Sequence, residues 1–480
     1  MRRFLRRKWL LRFALVGLLG AVVLPVGTWL YVRESARSRL AKVIRQLDES
    51  DPGWTKDDLC AARNKQLPPE DRNSFRLIRV SLKAFPPGYT NIDPVRDLTD
   101  RPSNCQLRPD ELAAVKKFLS AGEPALAVAR RLAEGTEGGR SMTMAAVPTN
   151  TDLAEVQDAR GVVWVLQWDA LAAAHAGRPA DAVRSARAVL GVARAIGDEP
   201  FIVSQLIRSA AAAVACRTTE RVLGLCEPKE GLAELQAELT QEADFPRLTH
   251  ALRGERAASH EMFRLLDSGG VAAIGGVGAG SPGLLNRLSS LPLRARLPDD
   301  HVCSLKMMTG LIEASRRPFD EQRAAFSAVP RPEDGDRRYF FTLLLTLPVE
   351  KTIDSGLRIR GELLAVAAGV ACERYRQRNG RWPESLDAIP KDILPAVPTD
   401  PLTGKPISYR RLADGVIVYS IGPDGQDDGG RFTEEADKPG GPKTRDFGIR
   451  LWDPDRRRQS PPPRLEPEGE PAPDDDADMP

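Results

Sequence analysis

The residues of this chain that are able to do chemistry are few, and their spacing fits no familiar catalytic set. Its four histidines are His175, His250, His260 and His301. His260-Glu261 opens the H-E-x-x-H zinc signature, but Arg264 stands where the second histidine would have to be, so a zincin is excluded on spacing. Among six cysteines there is no C-x-x-C, which removes zinc ribbons and thioredoxin-type redox chemistry. Ser281 lies in A-G-S-P-G, close to a nucleophile elbow. That motif needs the amide of the residue after the serine, and here Pro282 has no N–H. Carboxylates are plentiful, but no pair takes acid and base roles without a pocket. An enzyme would need Glu199, Arg208, Glu255 and Arg256 gathered in one pocket, with the carboxylate pKa values pulled apart. No motif carries a reaction, so the expected function is not enzymatic.

The elements that would position such residues begin with a membrane signal. Arg2, Arg3, Arg6, Arg7, Lys8 and Arg12 precede a span, 13–32, without a charged residue. As a helix it would be about 30 Å long, enough to cross a hydrocarbon core. Trp9, Trp29 and Tyr31 stand near its ends, where amphipathic rings prefer the interface. The positive-inside rule then leaves 1–12 in the cytoplasm and everything after Arg33 outside. A cleaved signal peptide is the competing reading, but the apolar stretch is long and lacks a clear A-x-A site. The formal net charge of +3 gives no case for nucleic-acid binding. In an oxidising compartment cysteines can pair. Cys60 and Cys105, in polar surroundings, are a candidate disulfide, with free buried thiols as the other reading.

Beyond the anchor, 33–106 reads as a mixed helical segment with one clear helix in "PEDRNSFRLIRVSLKAF". From 107 to 350 the pattern is helical hairpins. "GVVWVLQWDALAAAHAGRPADAVRSARAVLGVARAIGDEP" is a helix, a turn at Gly177-Arg178-Pro179 and a second helix, with small residues Ala180, Ala182 and Ala186 for close approach. This one hairpin is tetratricopeptide-like, and the segment is expected to be a helical-hairpin array. In the next helix Ile202, Leu206, Ala210 and Val214 form the expected buried face, with Gln205 and Arg208 pointing inward from its flank. Arg253, Glu255 and Arg256 read as a solvated helix face. The stretch 269–283, "GGVAAIGGVGAGSPG", lacks G-K-[ST] and is a flexible loop rather than a phosphate cradle.

The ending, 354–456, changes character. "DSGLRIRGELLAVAAGVACERYRQRNG" is an amphipathic helix stopped by Asn379-Gly380, and "WPESLDAI" reads as a short helix. Pro390, Pro395, Pro398, Pro401 and Pro406 then force an extended ribbon. "PISYRR" and "VIVYSIG" flank "LADG" as a β-hairpin, and "DFGIRLW" alternates as a third strand. Residues 457–480, rich in proline and acid, are expected to be a disordered tail.

Tyr375, Asn379, Gly380, Trp382, Pro383, Leu386, Pro398, Asp400, Pro401, Gly404, Pro406, Tyr409, Tyr419, Ser420, Gly422, Asp424, Gly425, Gly429 and Gly430 together resemble the C-terminal part of type II secretion major pseudopilins. The resemblance covers about 70 of the 480 residues. The whole chain is similar to a group of membrane-anchored planctomycete proteins, with stretches like "GDEPFIVSQLIR" and "ALRGERA". No prepilin-peptidase site precedes Phe13, so the ending is read as a borrowed head domain rather than a pseudopilus subunit. The resemblance implies a calcium site in "YSIGPDGQDDGG". Ser420, Asp424, Asp427 and Asp428 would supply side-chain oxygens, and Gly422 and Gly425 carbonyls. A plain Asp/Gly turn is the other reading.

The expectation is a mainly α protein: N-terminal transmembrane helix, helical-hairpin array, small α/β head with a β-hairpin, and tail. It would sit in a bacterial inner membrane as a single-pass interaction or scaffold protein, with an envelope protein as partner. The alternative is a cell-envelope hydrolase using carboxylates and arginines of the helical segment.

Overall fold

Helix α1 (Arg2–Ser50) is continuous, with Pro25 inside it. The computed structural model describes residues 2–95, 101–268, 291–333, 335–422, 425–432 and 446–461, and the side chains of α1 from Val23 onward. The segment 269–283 with Ser281 lies outside them. Among the described residues no helix is long and apolar enough to cross a membrane. The far end of the uncharged span nevertheless stands open: Leu24 is 72% and Tyr31 75% exposed, and Val23, Val26 and Leu30 are exposed as well. Further along, the same helix enters the body, where Val43 and Leu47 pack with Trp54 and Leu305.

The body is mainly helical, as expected. Short helices α2 (Lys56–Lys65), α3 (Phe75–Ala84), α4 (Pro109–Ala121) and α5 (Glu123–Ala129) lead to the long antiparallel pair α6 (Ala154–His175) and α7 (Pro179–Ile196). The turn between them falls where the sequence puts it, with Gly177 at φ +69° and Pro179 opening α7. Ala182 and Ala186 are fully buried there, whereas Ala180 is exposed. Next come α8 (Ile202–Leu225), α9 (Leu232–Asp244), α10 (Arg247–Asp267), α11 (Leu291–Ser315) and α12 (Phe319–Ala328).

Helix α8 corrects its expected face. Ile202 and Val214 are buried, but Leu206 and Ala210 are exposed, and Gln205 and Arg208 point into the interior. The physical reason is its central place: α8 is packed by α6, α7, the last long helix and the sheet. Only a narrow stripe through Val203, Leu206 and Ala210 escapes.

That last helix, α13 (Phe340–Asn379), is 40 residues long and ends at Gly380, in the left-handed region at φ +71°. Its first turn is capped from another helix: the Asp300 carboxylate accepts the amides of Phe341 and Thr342 at 2.9 and 3.0 Å. Strands β1 (Ser408–Leu412), β2 (Gly415–Ser420) and β3 (Phe447–Trp452) form an antiparallel meander in the order β1-β2-β3. The sheet lies on α13 because glycines let it. A Cβ at Gly361 would stand 2.8 Å from Ser420 Oγ, and one at Gly369 would collide with the Ile449 side chain.

Two details of the ending are smaller than expected. "WPESLDAI" yields only the 3-10 turn Leu386–Ala388, because Pro390 cuts off any further helical turn. The expected tail boundary at 457 also moves outward. Arg457 is buried against Glu373, and Gln459 bonds Asn104 and Gln106 through its backbone at 2.9 Å each. Residues 462–480 lie outside the described ones. One hydrophobic core runs from Phe75 through α6, α7, α8 and α9 to Ile449 and Leu451 of β3.

Candidate functional site

The turn between α7 and α8 gathers buried charge from several elements. Gly197 takes φ +70° there, so close to the Gly138 carbonyl that a side chain would not fit. Asp198 and Glu199 follow it. Arg140 donates from Nε to Glu199 at 2.8 Å, and Ser204 Oγ donates to the same carboxylate at 2.7 Å. Arg63, from α2, donates through Nε to Asp198 at 2.7 Å and through Nη1 to the Arg140 carbonyl at 2.6 Å. Arg208, one turn into α8, grips Glu242 of α9 with both sides of its fork at 2.8 and 2.7 Å. Its remaining nitrogen donates to the Gly197 carbonyl at 2.9 Å, and the guanidinium stacks 3.3 Å from the Phe245 ring centroid. Arg247 adds a second cation to Glu242 at 3.0 Å. Burial opposes the charge on Glu242, but Arg208 and Arg247 outweigh it and hold the carboxyl below its usual range.

Beside this network lies a cavity of about 250 Å³. Its walls come from α2 (Arg63) and Gln66 just after it, the 136–138 loop, α7 (Arg194), the turn (Gly197, Asp198), α8 (Arg208) and α9 (Gln241, Glu242), with Phe245. Arg194 meets Glu238 only at 3.5 Å, while Arg187 takes both oxygens of Glu238 at 3.1 and 2.8 Å. Nη2 of Arg63 and both Nε and Nη2 of Arg194 are buried with no hydrogen-bond partner among the described residues. Burial pushes the Arg194 pKa down. The wall carries three guanidiniums, Arg63, Arg194 and Arg208, and three carboxylates, Glu137, Asp198 and Glu242.

The four residues that a hydrolase would need are not brought together. Glu199 serves Arg140, and Arg208 serves Glu242. Glu255 accepts the Ile202 amide at 3.4 Å, and Arg256 is buried on Asp51 beside the Trp54 ring. Of the four, only Arg208 lines the cavity. Arg256 is therefore not on a solvated face: it is almost wholly buried, because Asp51 at the end of α1 comes to meet it. Sequence reading missed Arg63, Arg140, Arg194 and Glu242. For Arg63 and Arg194 the signal available was an arginine among apolar helix positions; Arg140, in a loop, and Glu242 had no local signal.

Burial pushes the histidines down, to about 4 at His175, His250 and His260 and about 3 at His301, so they are neutral near neutrality. The six cysteines are free thiols, which corrects the expected Cys60–Cys105 pairing. Cys60 is buried with Met142, Met144 and Phe201, while Cys105 lies beside Gln459.

In the Asp/Gly loop, Asp424 lies outside the described residues. Ser420 is buried on β2 with its hydroxyl toward Gly361 of α13, and it bonds Asp400. Asp427 Oδ1 already accepts the Tyr419 hydroxyl and the Gly429 amide, both at 2.9 Å, and Asp428 is exposed. Asp446, not foreseen, takes the Gly430 amide at 2.7 Å, and burial raises its carboxyl. The expected calcium set is not assembled among the described residues, where no cluster of three or more such ligands occurs. Compared with protein-family models, curated proteins and solved structures, the chain matches none.

Proposed function

We propose that the chain is a single-pass protein anchored through 13–32 in a bacterial inner membrane, with the bulk outside the cytoplasm acting as an interaction or scaffold module. In this reading 354–456 is a pseudopilin-like head. The observation that supports it is the division of α1. Its open segment carries Val23, Leu24, Val26, Leu30 and Tyr31 into solvent, and the same unbroken helix is then gripped by the body from Ala36 to Leu47. Large apolar side chains exposed in a row are costly in water, about 1.5–3 kcal/mol each, and lipid removes that cost.

The test uses membranes from cells making the full chain. Alkaline carbonate should leave the protein in the pellet, and protease outside spheroplasts should digest everything after Arg33. Release by carbonate would exclude an anchor, and full protection of the body would reverse the orientation.

A further inference from the structure

We propose that the start of α13 is a second contact with the membrane: Phe340 and Leu344 enter the headgroup layer of the bilayer that holds α1 and seat the body on the lipid surface. This contact rests on the anchored reading of α1 given above. Phe340 is 50% and Leu344 52% exposed. They stand four residues apart, so they share one side of the helix. On another side Phe341 and Leu345 pack against Phe263, Leu266 and Leu297, and the Phe341 ring meets that of Phe263 edge-on at 6.3 Å. The outward pair therefore projects from a packed helix, not from a loose end.

Position decides what covers it. Helix α11 runs beside α1 in the same direction: Arg39 forks onto Asp299 at 2.9 and 2.8 Å, and Val43 and Leu47 follow against Val302 and Leu305. Helix α10 runs the opposite way, from Arg256 on Asp51 to Asp267, which takes Arg33 and Arg37 at 3.0 Å each. Helix α13 starts at this same end, on the Asp300 cap, and runs back along α10 to Gly356, beside Leu248. Phe340 and Leu344 thus lie at the end of the body from which α1 emerges with Leu30 and Tyr31 open. Six residues of α1 separate Arg33 from Arg39 at the level of Asp299, about 9 Å of helix. The headgroup layer is roughly 5–8 Å deep on each side of the hydrocarbon, so side chains projecting from this end reach it. Their neighbours suit that level. The Arg338 guanidinium lies 5.6 Å from the Tyr339 ring centroid, and Arg296 of α11 is exposed. Asp267, Asp299 and Asp336 at this end are each paired with arginine, which limits repulsion from anionic lipid. A second copy of the chain would have to compete with lipid that the anchor already brings here.

The experiment uses the full chain in membranes of the cells that make it, with photoreactive benzoyl-phenylalanine in place of Phe340, Leu344 or Asp354. Asp354 is the control, exposed on the same helix about 21 Å further from the membrane end. After irradiation, mass spectrometry should find phospholipid adducts at 340 and 344 at several times the yield at 354. The replaced side chains already face outward, so each variant in detergent should melt within about 2 °C of the wild type. Equal lipid labelling at all three positions, a cross-linked dimer in place of lipid adducts, or cross-links to another protein alone would each overturn the proposal. Alkaline carbonate on the same membranes separates it from the anchored reading. Protein that stays in the pellet without lipid adducts at 340 and 344 would sink the second contact and leave the anchor standing. Protein released by carbonate, yet labelled by lipid before extraction, would sink the anchor and leave α13 as the membrane contact.

Discussion

Arg457 shows what a single side chain does when charge is placed deep in a helical body. It reaches from the end of the chain to Glu373 on α13, at 2.9 Å, where Arg376 arrives from one turn along at 2.7 Å. Glu373 is fully buried, so its charge survives only because both guanidiniums are present; burial opposes it and they outweigh that opposition. Glu373→Gln should therefore destabilise by about 3–5 kcal/mol, since it strands the buried Arg457 and leaves Arg376 only Glu227 at 3.2 Å. Urea unfolding measures this, and a loss under about 1 kcal/mol would mean that water already solvates the arginines. Such partners were not legible in the sequence. Arg457 reads as one of three consecutive arginines in a polar ending, and nothing local announces that it closes on a residue from the previous helix.

At the scale of elements the sequence was read more successfully, and the reasons are local. The Gly380 stop, the Gly177–Pro179 turn and the three strands each depend on residues within a few positions: a left-handed glycine, a proline at a first turn, alternation on a sheet. The face of α8 was misread because its neighbours come from both before it (α6, α7) and after it (α13, β3), and period alone cannot count how many sides are covered. Gly361 and Gly369 look like weak points within α13, yet they admit the sheet. Gly369→Val would drive a side chain into Ile449 and should cost about 1–3 kcal/mol, with added loss at β3. Thermal melting read by amide exchange of β3 checks it. Unchanged protection of Ile449 and Leu451 would show that the sheet moves away freely.

For the whole molecule, the continuous core makes the helical hairpins and the C-terminal sheet a single cooperative object. Calorimetry of the full chain should show one endotherm for the body, and two resolved transitions would mean that the sheet and α13 unfold separately from α6 and α7. The four-residue hydrolase set failed to converge for a physical reason. It was picked by residue type along the chain, while the cavity is assembled from α2, α7, α8 and α9, whose charges meet only after folding.

The bond between the Gln459 backbone and Asn104 has a consequence in time. Asn104 also holds the Arg456 carbonyl through its side chain, across a separation of 352 residues. A ribosome adding about 5–20 residues per second takes about 20–70 s to supply that distant segment after Asn104 has been made. For the last part of that interval, about 4–16 s between Asn379 and Arg457, α8 and α13 are made but lack β3, and Glu373 lacks its second arginine. The nascent chain thus waits with an open flank until 446–461 has been made.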